Sequence, residues 1–198
     1  RSGCRWGMKA LLIMLGAAAA YTCTNSNSTD DYAIDDSIPI CIHFSSGQKM
    51  VFTPKLDTYS AIQVKGAYDY FKDNNNVTML AQSAGVELTD PTYFKSDGLV
   101  ASVFSLVISM DDGKVDELNW DNDCNLCNDD CLSLQDEEVC AEDETDACSS
   151  SEDCDPRVYV SWVGTDKDSL PLTSAGMRIS QFRKYSVYKG YEEAKQNF

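Results

Sequence analysis

The acidic, cysteine-rich stretch in the second half of the chain sets the strongest limit on how it folds. Residues 124–154 contain six of the nine cysteines, and residues 111–155 carry 18 acidic side chains against one basic one. Apolar side chains between these cysteines are few, so hydrophobic burial alone cannot order the stretch. We therefore expect disulfides to hold it, each contributing about 2–4 kcal/mol.

The N-terminal residues indicate the oxidising compartment that disulfides require. Met8 and Lys9 precede an apolar run, Ala10–Ala20, which is shorter than the roughly 20 residues that span a bilayer. A basic start, a short apolar run and small residues at its end are typical of a secretory signal peptide. We predict that residues 1–20 are removed, that no membrane span remains, and that the protein is extracellular or at the cell surface.

Removing residues 1–20 deletes Cys4 and leaves an even number of cysteines, as closed disulfides in a secreted protein require. The predicted disulfide-forming residues are Cys23, Cys41, Cys124, Cys127, Cys131, Cys140, Cys148 and Cys154. The six in the acidic stretch allow 15 pairings, and their spacing does not choose among them. A Cys23–Cys41 bridge is the default for the fourth pair, with a crosslink to a neighbouring subunit as the alternative.

The charge of the chain is concentrated in one place. Residues 1–110, 111–155 and 156–198 carry net charges of −2, −17 and +3, which sum to −16. We expect no nucleic-acid or anionic-membrane partner, because binding phosphates needs clustered Lys and Arg. The acidic stretch and the basic C-terminal part are complementary surfaces, so they favour either contact between copies or folding of the tail back onto its own chain.

Alternating apolar residues outside the acidic stretch predict strands. Ile38, Ile40, Ile42 and Phe44 fall on one face of a strand with Cys41 opposite, followed by a turn and a second strand at residues 49–53. Further strand candidates are residues 77–81, 86–89, 157–163 and 176–182, whereas residues 58–73 fit a strand or a helix, and Tyr185, Tyr188 and Tyr191 would align on a terminal helix.

The clearest hairpin signal follows residue 99. Phe104, Leu106, Ile108 and Met110 share one face of a run that ends at Asp111–Lys114, and residues 115–120 return. The Asp112-Gly113 pair suits a type I′ turn, in which both central residues have positive φ. We therefore predict a hairpin with Asp111 opposite Lys114.

These patterns predict a mainly β fold, α+β being the alternative, as an antiparallel sandwich-like domain with a disulfide-rich acidic insertion. Residues 1–20 are the upstream residues and signal peptide, and residues 21–37 are a flexible acidic lead-in. Residues 38–122 and 156–198 form the β domain, and residues 123–155 form the insertion.

The acidic stretch also raises the question of a cation. Asp121, Asp123 and Asn125 match the first three ligand positions of an EF-hand loop, but Leu126 stands where that loop needs glycine. We expect no required cofactor, and calcium bound by these three residues is the alternative to a solvated acidic loop.

Glycosylation and catalysis receive unequal support. Asn27 and Asn76 begin acceptor triplets for N-linked glycans. His43 is the single histidine, and no nucleophile elbow accompanies it, so we expect a structural histidine and no enzyme.

Together these features predict a secreted, disulfide-stabilised and glycosylated structural or interaction protein of a cell surface, matrix or extracellular filament. Its expected partners are copies of itself or other extracellular proteins. In contact between copies, the basic tail of one copy would bind the acidic stretch of the next, or a terminal segment would add a strand to the sheet of its neighbour. One alternative is a calcium-dependent module that binds glycan or protein through Trp120 and Trp162. The other is a secreted hydrolase with paired carboxylates.

Overall fold

The computed structural model describes residues 31–83, 86, 88–121, 131–134 and 137–177, with the backbone alone at residues 131–134 and 137–138. The predicted mainly β, antiparallel, sandwich-like class is confirmed, because two large sheets enclose one apolar core.

The larger sheet has six strands, and every neighbouring pair in it is antiparallel. Its spatial order is β11–β6–β5–β4–β1–β2. The strands are β1 (Ile40–Phe44), β2 (Lys49–Phe52), β4 (Asn76–Ser83), β5 (Thr92–Ser96), β6 (Leu99–Val100) and β11 (Glu142–Asp143).

The second sheet has five strands in the order β13–β12–β7–β8, with β3 also paired to β12. One pair departs from the antiparallel expectation, because β7 and β12 run parallel over eight residue pairs. The acidic insertion lies between them in sequence and supplies the long connection that a parallel pair needs. The strands are β3 (Ser60–Gln63), β7 (Val103–Asp111), β8 (Lys114–Trp120), β12 (Arg157–Thr165) and β13 (Pro171–Leu172).

The remaining described elements are short. An antiparallel hairpin of β9 (Cys131–Leu134) and β10 (Glu137–Cys140) lies within the insertion. The helices are α1 (Ala67–Phe71), α2 (Glu144–Ala147) and α3 (Ser151–Cys154), and a 3-10 helix spans Ser174–Met177.

The core forms where the alternating residues of the two sheets face each other. The four apolar residues predicted to share one face at residues 38–44 are all buried, as are the alternating residues of β7 and β12. Phe44 packs against Phe71, with ring centroids 4.9 Å apart, and against Phe94 at 6.2 Å. Burying an aliphatic or aromatic side chain contributes about 1.5–3 kcal/mol, so this shared face determines which side of each strand points inward.

The predicted β7–β8 hairpin is confirmed. Asp112 and Gly113 both have positive φ, of 44° and 82°, and Asp111 pairs with Lys114. The register shifts between Ser109 and Met110, which leaves Asp116 as an extra residue on β8. Such a bulge bends a strand and increases its twist.

The structure resolves one open local prediction and corrects two others. Residues 58–73 hold both alternatives, because β3 is followed by α1. The described residues of 86–89 form no strand, and Thr89 instead hydrogen-bonds through its N–H to the Ala81 carbonyl, 3.0 Å away. The predicted strand at 176–182 begins inside the 3-10 helix, which ends at Met177. Its remaining residues, and the predicted terminal helix, lie outside the described part.

The insertion is joined to the larger sheet at both the backbone and the side-chain level. Strand β11 pairs with β6, so two insertion residues extend the six-stranded sheet. Buried Asp155 accepts hydrogen bonds from the N–H groups of Gly66 and Tyr68 at 2.7 and 3.0 Å, which ties α3 to the start of α1. Cys148 and Cys154 form a disulfide that closes the loop between α2 and α3. The insertion is therefore packed on the sandwich at its C-terminal end.

The end of the predicted flexible lead-in is held by hydrogen bonds. The Tyr32 N–H donates to the Gly113 carbonyl at 2.8 Å, and the Lys167 N–H donates to the Tyr32 carbonyl at 2.9 Å. Asp166 is buried beside this contact and accepts from the N–H groups of Ile34, Asp168 and Leu170 at 2.9–3.2 Å. Burial alone would raise the pKa of Asp166, but these donors outweigh it and hold the pKa below its usual value.

This lowered pKa predicts an acid-sensitive contact. The Asp166 carboxylate stabilises the fold above its unfolded pKa, near 3.8, and that contribution is lost as the pH falls through the lower folded pKa. We expect Asp166→Asn to be less stable than the wild type near neutral pH, with a difference that shrinks below about pH 4. Urea unfolding across this range measures it, and a constant difference at every pH would contradict the role of the charge.

Candidate interaction edge at strand β8

Strand β8 forms one edge of the five-stranded sheet. Within the described part of the chain it pairs with β7 alone. The Asp121 N–H donates to the Ser105 carbonyl at 2.8 Å, so by the alternation of an antiparallel ladder Asn119 and Glu117 also bond towards β7. The backbone groups of Leu118 and Trp120 consequently point away from the sheet, where an added strand would meet them.

A groove of about 480 Å³ runs along this edge. Its lining includes five consecutive β8 residues, Val115–Asn119. Because side chains alternate between the two faces of a strand, contact with five in succession means that the groove follows the strand edge rather than one face. The opposite wall is formed by Val86, Leu88, Thr89 and Asp90.

The charges along the groove are all negative. Asp90, Asp116 and Glu117 line it, and no Lys or Arg does. Charged residues and bulges on edge strands oppose indiscriminate pairing, and two β8 edges brought together would place like charges side by side. The same carboxylates favour a basic strand, so this edge is selective for the charge of its partner.

A second edge has the complementary character. Strand β2 ends the six-stranded sheet and, among the described residues, pairs with β1 alone. The Phe44 N–H bonds to the Gln48 carbonyl at 2.9 Å, so the backbone groups of Lys49 and Val51 alternate to the outside. Lys49 and Lys55 are the charged residues between residues 45 and 56, and both are exposed. The molecule thus has one acidic and one basic edge, on different sheets.

The most buried cation of the described residues lies elsewhere. The side chain of Lys95 is 4% exposed, and its Nζ lies 2.5 Å from Glu144 Oε1. The Lys72 carbonyl also accepts from Nζ, and the Tyr68 hydroxyl donates to Glu144 at 2.8 Å. Burial, followed by the hydrogen bond to Glu144, raises the pKa of Tyr68 to about 12. This cluster joins α1, β5 and α2, and each of its groups has a partner, so it holds the insertion on the sheet.

Four of the eight predicted disulfide cysteines are disulfide-bonded in the described part of the chain. Cys148 pairs with Cys154, and Cys41 is disulfide-bonded, as is Cys140. Across the β9–β10 hairpin the backbone register places Cys131 opposite Cys140. Cys23, Cys124 and Cys127 lie outside the described residues, so the complete set stays a prediction.

The other predicted site residues are only partly described. Asn76 is exposed at the start of β4, and its Oδ1 accepts a hydrogen bond from Ser96 at 2.8 Å. Asp121 is bound to β7 through its N–H. Asn27, Asp123 and Asn125 lie outside the described residues. Over the residues that are described, no three His, Cys, Asp or Glu side chains come together as a metal site.

Of the two tryptophans predicted to contact a ligand, one is buried in the core and the other is half-buried. Trp162 is fully buried, and Trp120 is half-buried against Phe104, with ring centroids 6.0 Å apart. The prediction that Trp162 contacts a glycan or protein ligand is therefore wrong, because its ring lies in the core. His43 is half-buried on β1, where burial, followed by the nearby charge of Lys49, lowers its pKa. The prediction that His43 is structural stays a prediction.

No described helix is long and apolar enough to cross a membrane. No curated protein and no solved structure matches the chain. Residues 89–191 match the model of the family described as Uncharacterised protein DDB_G0273449. The matched span is more than half of the chain and contains β7, β8, the insertion and β12. The chain therefore belongs to the family described as Uncharacterised protein DDB_G0273449.

Proposed function

We propose that this protein is a secreted, disulfide-stabilised and N-glycosylated structural protein that assembles head to tail. In this assembly β8 of one copy pairs with β2 of the next. The open β8 edge, whose groove is lined by acidic side chains and by no Lys or Arg, is the observation that carries the proposal. Cell-surface, matrix and filament roles all suit such a module.

The two edges are similar in length and opposite in charge. Strand β2 has four residues, and the groove contacts five residues of β8. Backbone groups of Lys49 and Val51 would bond to those of Leu118 and Trp120, which supplies affinity by strand addition. Lys49 and Lys55 would lie near Asp116 and Glu117, which sets the partner and the register.

The geometry of this contact determines the kind of assembly. The two strands are different surfaces of one molecule, so the contact is heterologous, and a bound pair still presents one free β2 edge and one free β8 edge. Such contacts form rings when the rotation closes and open filaments when it does not. A filament or ring of an exported protein fits the predicted disulfides, which persist in oxidising compartments.

Charge reversal on β8 tests the proposal. We expect Asp116→Lys/Glu117→Lys to reduce self-association by at least about tenfold, because the basic β2 would then meet a basic edge. The measurement is sedimentation velocity of the oxidised protein over a range of concentrations. Glu142→Lys/Glu152→Lys makes the same change in charge at two exposed positions, one on β11 at the opposite end of the larger sheet from β2 and one beside β3, across the smaller sheet from β8. This variant is expected to associate like the wild type.

Three outcomes would count against the proposal. A wild-type protein that stays monomeric at every concentration would overturn it. Equal loss of association in both double variants would show a general effect of net charge rather than a contact at β8. Association that survives the β8 reversal but disappears on removal of residues 178–198 would assign the contact to the basic C-terminal segment.

A further inference from the structure

The two strand edges of the proposed contact each have an apolar side and a polar side. On β8, Leu118 is buried, whereas its neighbour Glu117 is exposed and points to the outward face of the sheet. On β2, Met50 packs partly against the core, whereas Lys49 is exposed on the outward face. The side chains of an added strand therefore meet apolar surface on the inward side and charge on the outward side.

The groove wall opposite β8 carries an exposed apolar side chain. Leu88 is 47% exposed and lines the groove together with Val86. The Thr89 N–H donates to the Ala81 carbonyl at 3.0 Å, and Thr89 Oγ1 accepts from the Ala81 N–H at 2.9 Å, so this wall is attached to β4 of the larger sheet. The wall consequently lies on the inward side of β8, towards which Leu118 points. An added strand would cover Leu88 with its inward side chains.

The direction of the added strand decides which of its side chains point inward. The backbone groups of Lys49 and Leu118 both point out of their own sheets. In an antiparallel pair, two such residues lie directly opposite each other and share a face, so Lys49 would point inward beside Leu118. Met50 would then point outward, on the face that carries Glu117.

A parallel pair reverses these faces, because each residue bonds to the two neighbours of the residue opposite it. The β7–β12 pair shows this geometry. Arg157 lies opposite Val103, and its N–H donates to the Ser102 carbonyl at 2.8 Å. A residue of an added parallel strand that bonds to the backbone of Leu118 would therefore lie opposite Glu117 or Asn119, on the outward face.

The parallel arrangement buries more apolar surface and pairs the charges. It makes Met50 and Phe52 the inward residues of β2, and Lys49 lies outward opposite Glu117, where opposite charges attract. The antiparallel arrangement makes Lys49 and Val51 the inward residues. It would give Lys49 a carboxylate of the groove wall, but it would bury one small apolar side chain in place of two large ones.

We infer, on the basis of the proposed function, that β2 of one copy adds in parallel to β8 of the next and places Met50 on Leu88. Leu88 is then the apolar anchor of the contact, and Lys49 and Glu117 form its charged pair. The inward faces of the two sheets become continuous, so the apolar layer between the sheets extends from copy to copy.

Truncation of Leu88 tests the anchor. We expect Leu88→Ser to weaken self-association about fivefold, because the contact loses part of the apolar surface that it buries. Val163→Ser shortens a side chain that is 40% exposed on β12, two strands away from β8, and should associate like the wild type. Sedimentation velocity of the oxidised proteins measures both.

A mixing experiment determines the direction of the strand. Leu88→Lys and Met50→Glu should each associate poorly alone, because each places a charge against an apolar partner. In their equimolar mixture one contact is unaltered and the other joins opposite charges, so we expect assemblies longer than pairs. Leu88→Lys mixed with Val51→Glu should not grow beyond pairs, since Val51 points outward in a parallel arrangement and leaves the second contact broken.

The outcomes separate this inference from the proposed function. Growth beyond pairs with Val51→Glu, or with neither variant, would overturn the parallel arrangement. Unchanged association of Leu88→Ser, in a protein that Asp116→Lys/Glu117→Lys does dissociate, would overturn the anchor and leave the β8 contact in place. A wild type that stays monomeric at every concentration would overturn the proposed function and this inference with it.

Discussion

Replacing Glu144 by alanine is expected to lower the free energy of unfolding by about 3 kcal/mol. The substitution leaves the Lys95 ammonium group, with a side chain 4% exposed, without its carboxylate partner. It also removes the acceptor of the Tyr68 hydroxyl. An unpaired buried charge costs far more than the net contribution of the pair, so the loss should be large although Glu144 itself is 20% exposed. Urea denaturation measures the change.

Two further variants separate the buried charge from general damage to the insertion. Glu142→Ala, on the exposed strand β11, is expected to cost less than about 0.5 kcal/mol. Lys95→Met/Glu144→Leu removes both charges and should recover much of the lost stability, because an apolar pair can replace a buried ion pair. A Glu144→Ala protein as stable as the wild type would show that this cluster does not hold the insertion.

Replacing Gly164 by alanine is expected to destabilise the fold by about 2–5 kcal/mol. Gly164 has φ of 102° and lies opposite Met110 in the parallel β7–β12 pair. A Cβ at this position would overlap the Met110 carbonyl oxygen, which belongs to the backbone and cannot move without disturbing the pair. The substitution therefore combines a poor backbone conformation with a steric overlap.

Gly176→Ala is the matched control for Gly164→Ala. A Cβ there meets no atom within 4 Å, so we expect a change within about 0.5 kcal/mol. Thermal and urea unfolding of both variants against the wild type give the comparison. Equal stability of the two alanine variants would mean that β7 and β12 do not approach as closely as the structure shows.

Local patterns were sufficient where a strand and its turn are contiguous. The alternation at residues 38–44 and the Asp112-Gly113 turn predict β1 and the β7–β8 hairpin because face and turn are encoded within a few residues. The parallel β7–β12 pair could not be predicted in this way, since the insertion separates its strands. Strand β5 was also missed: its Lys95 reads as a surface residue until Glu144, 49 residues later, is placed beside it.

The candidate site was the least predictable feature. Asp116 and Glu117 read as ordinary solvated charges, because the sequence does not show that β8 ends the sheet. The sequence also does not show whether Trp120 and Trp162 contact a ligand or lie in the core, because the face on which an aromatic residue lies depends on strand register. The available signal for the β8 edge was a strand with charges at three of its first four positions, Lys114, Asp116 and Glu117, because charged side chains are typical of edge strands.

A mixing experiment with two charge-reversed variants tests the proposed assembly most directly. Asp116→Lys/Glu117→Lys makes both edges basic, and Lys49→Glu/Lys55→Glu makes both edges acidic, so each variant alone should stay monomeric. In an equimolar mixture every β8 finds a β2 of opposite charge, and we expect sedimentation to show alternating assemblies of the two variants. A mixture that remains monomeric, while the wild type associates, would contradict pairing of β8 with β2.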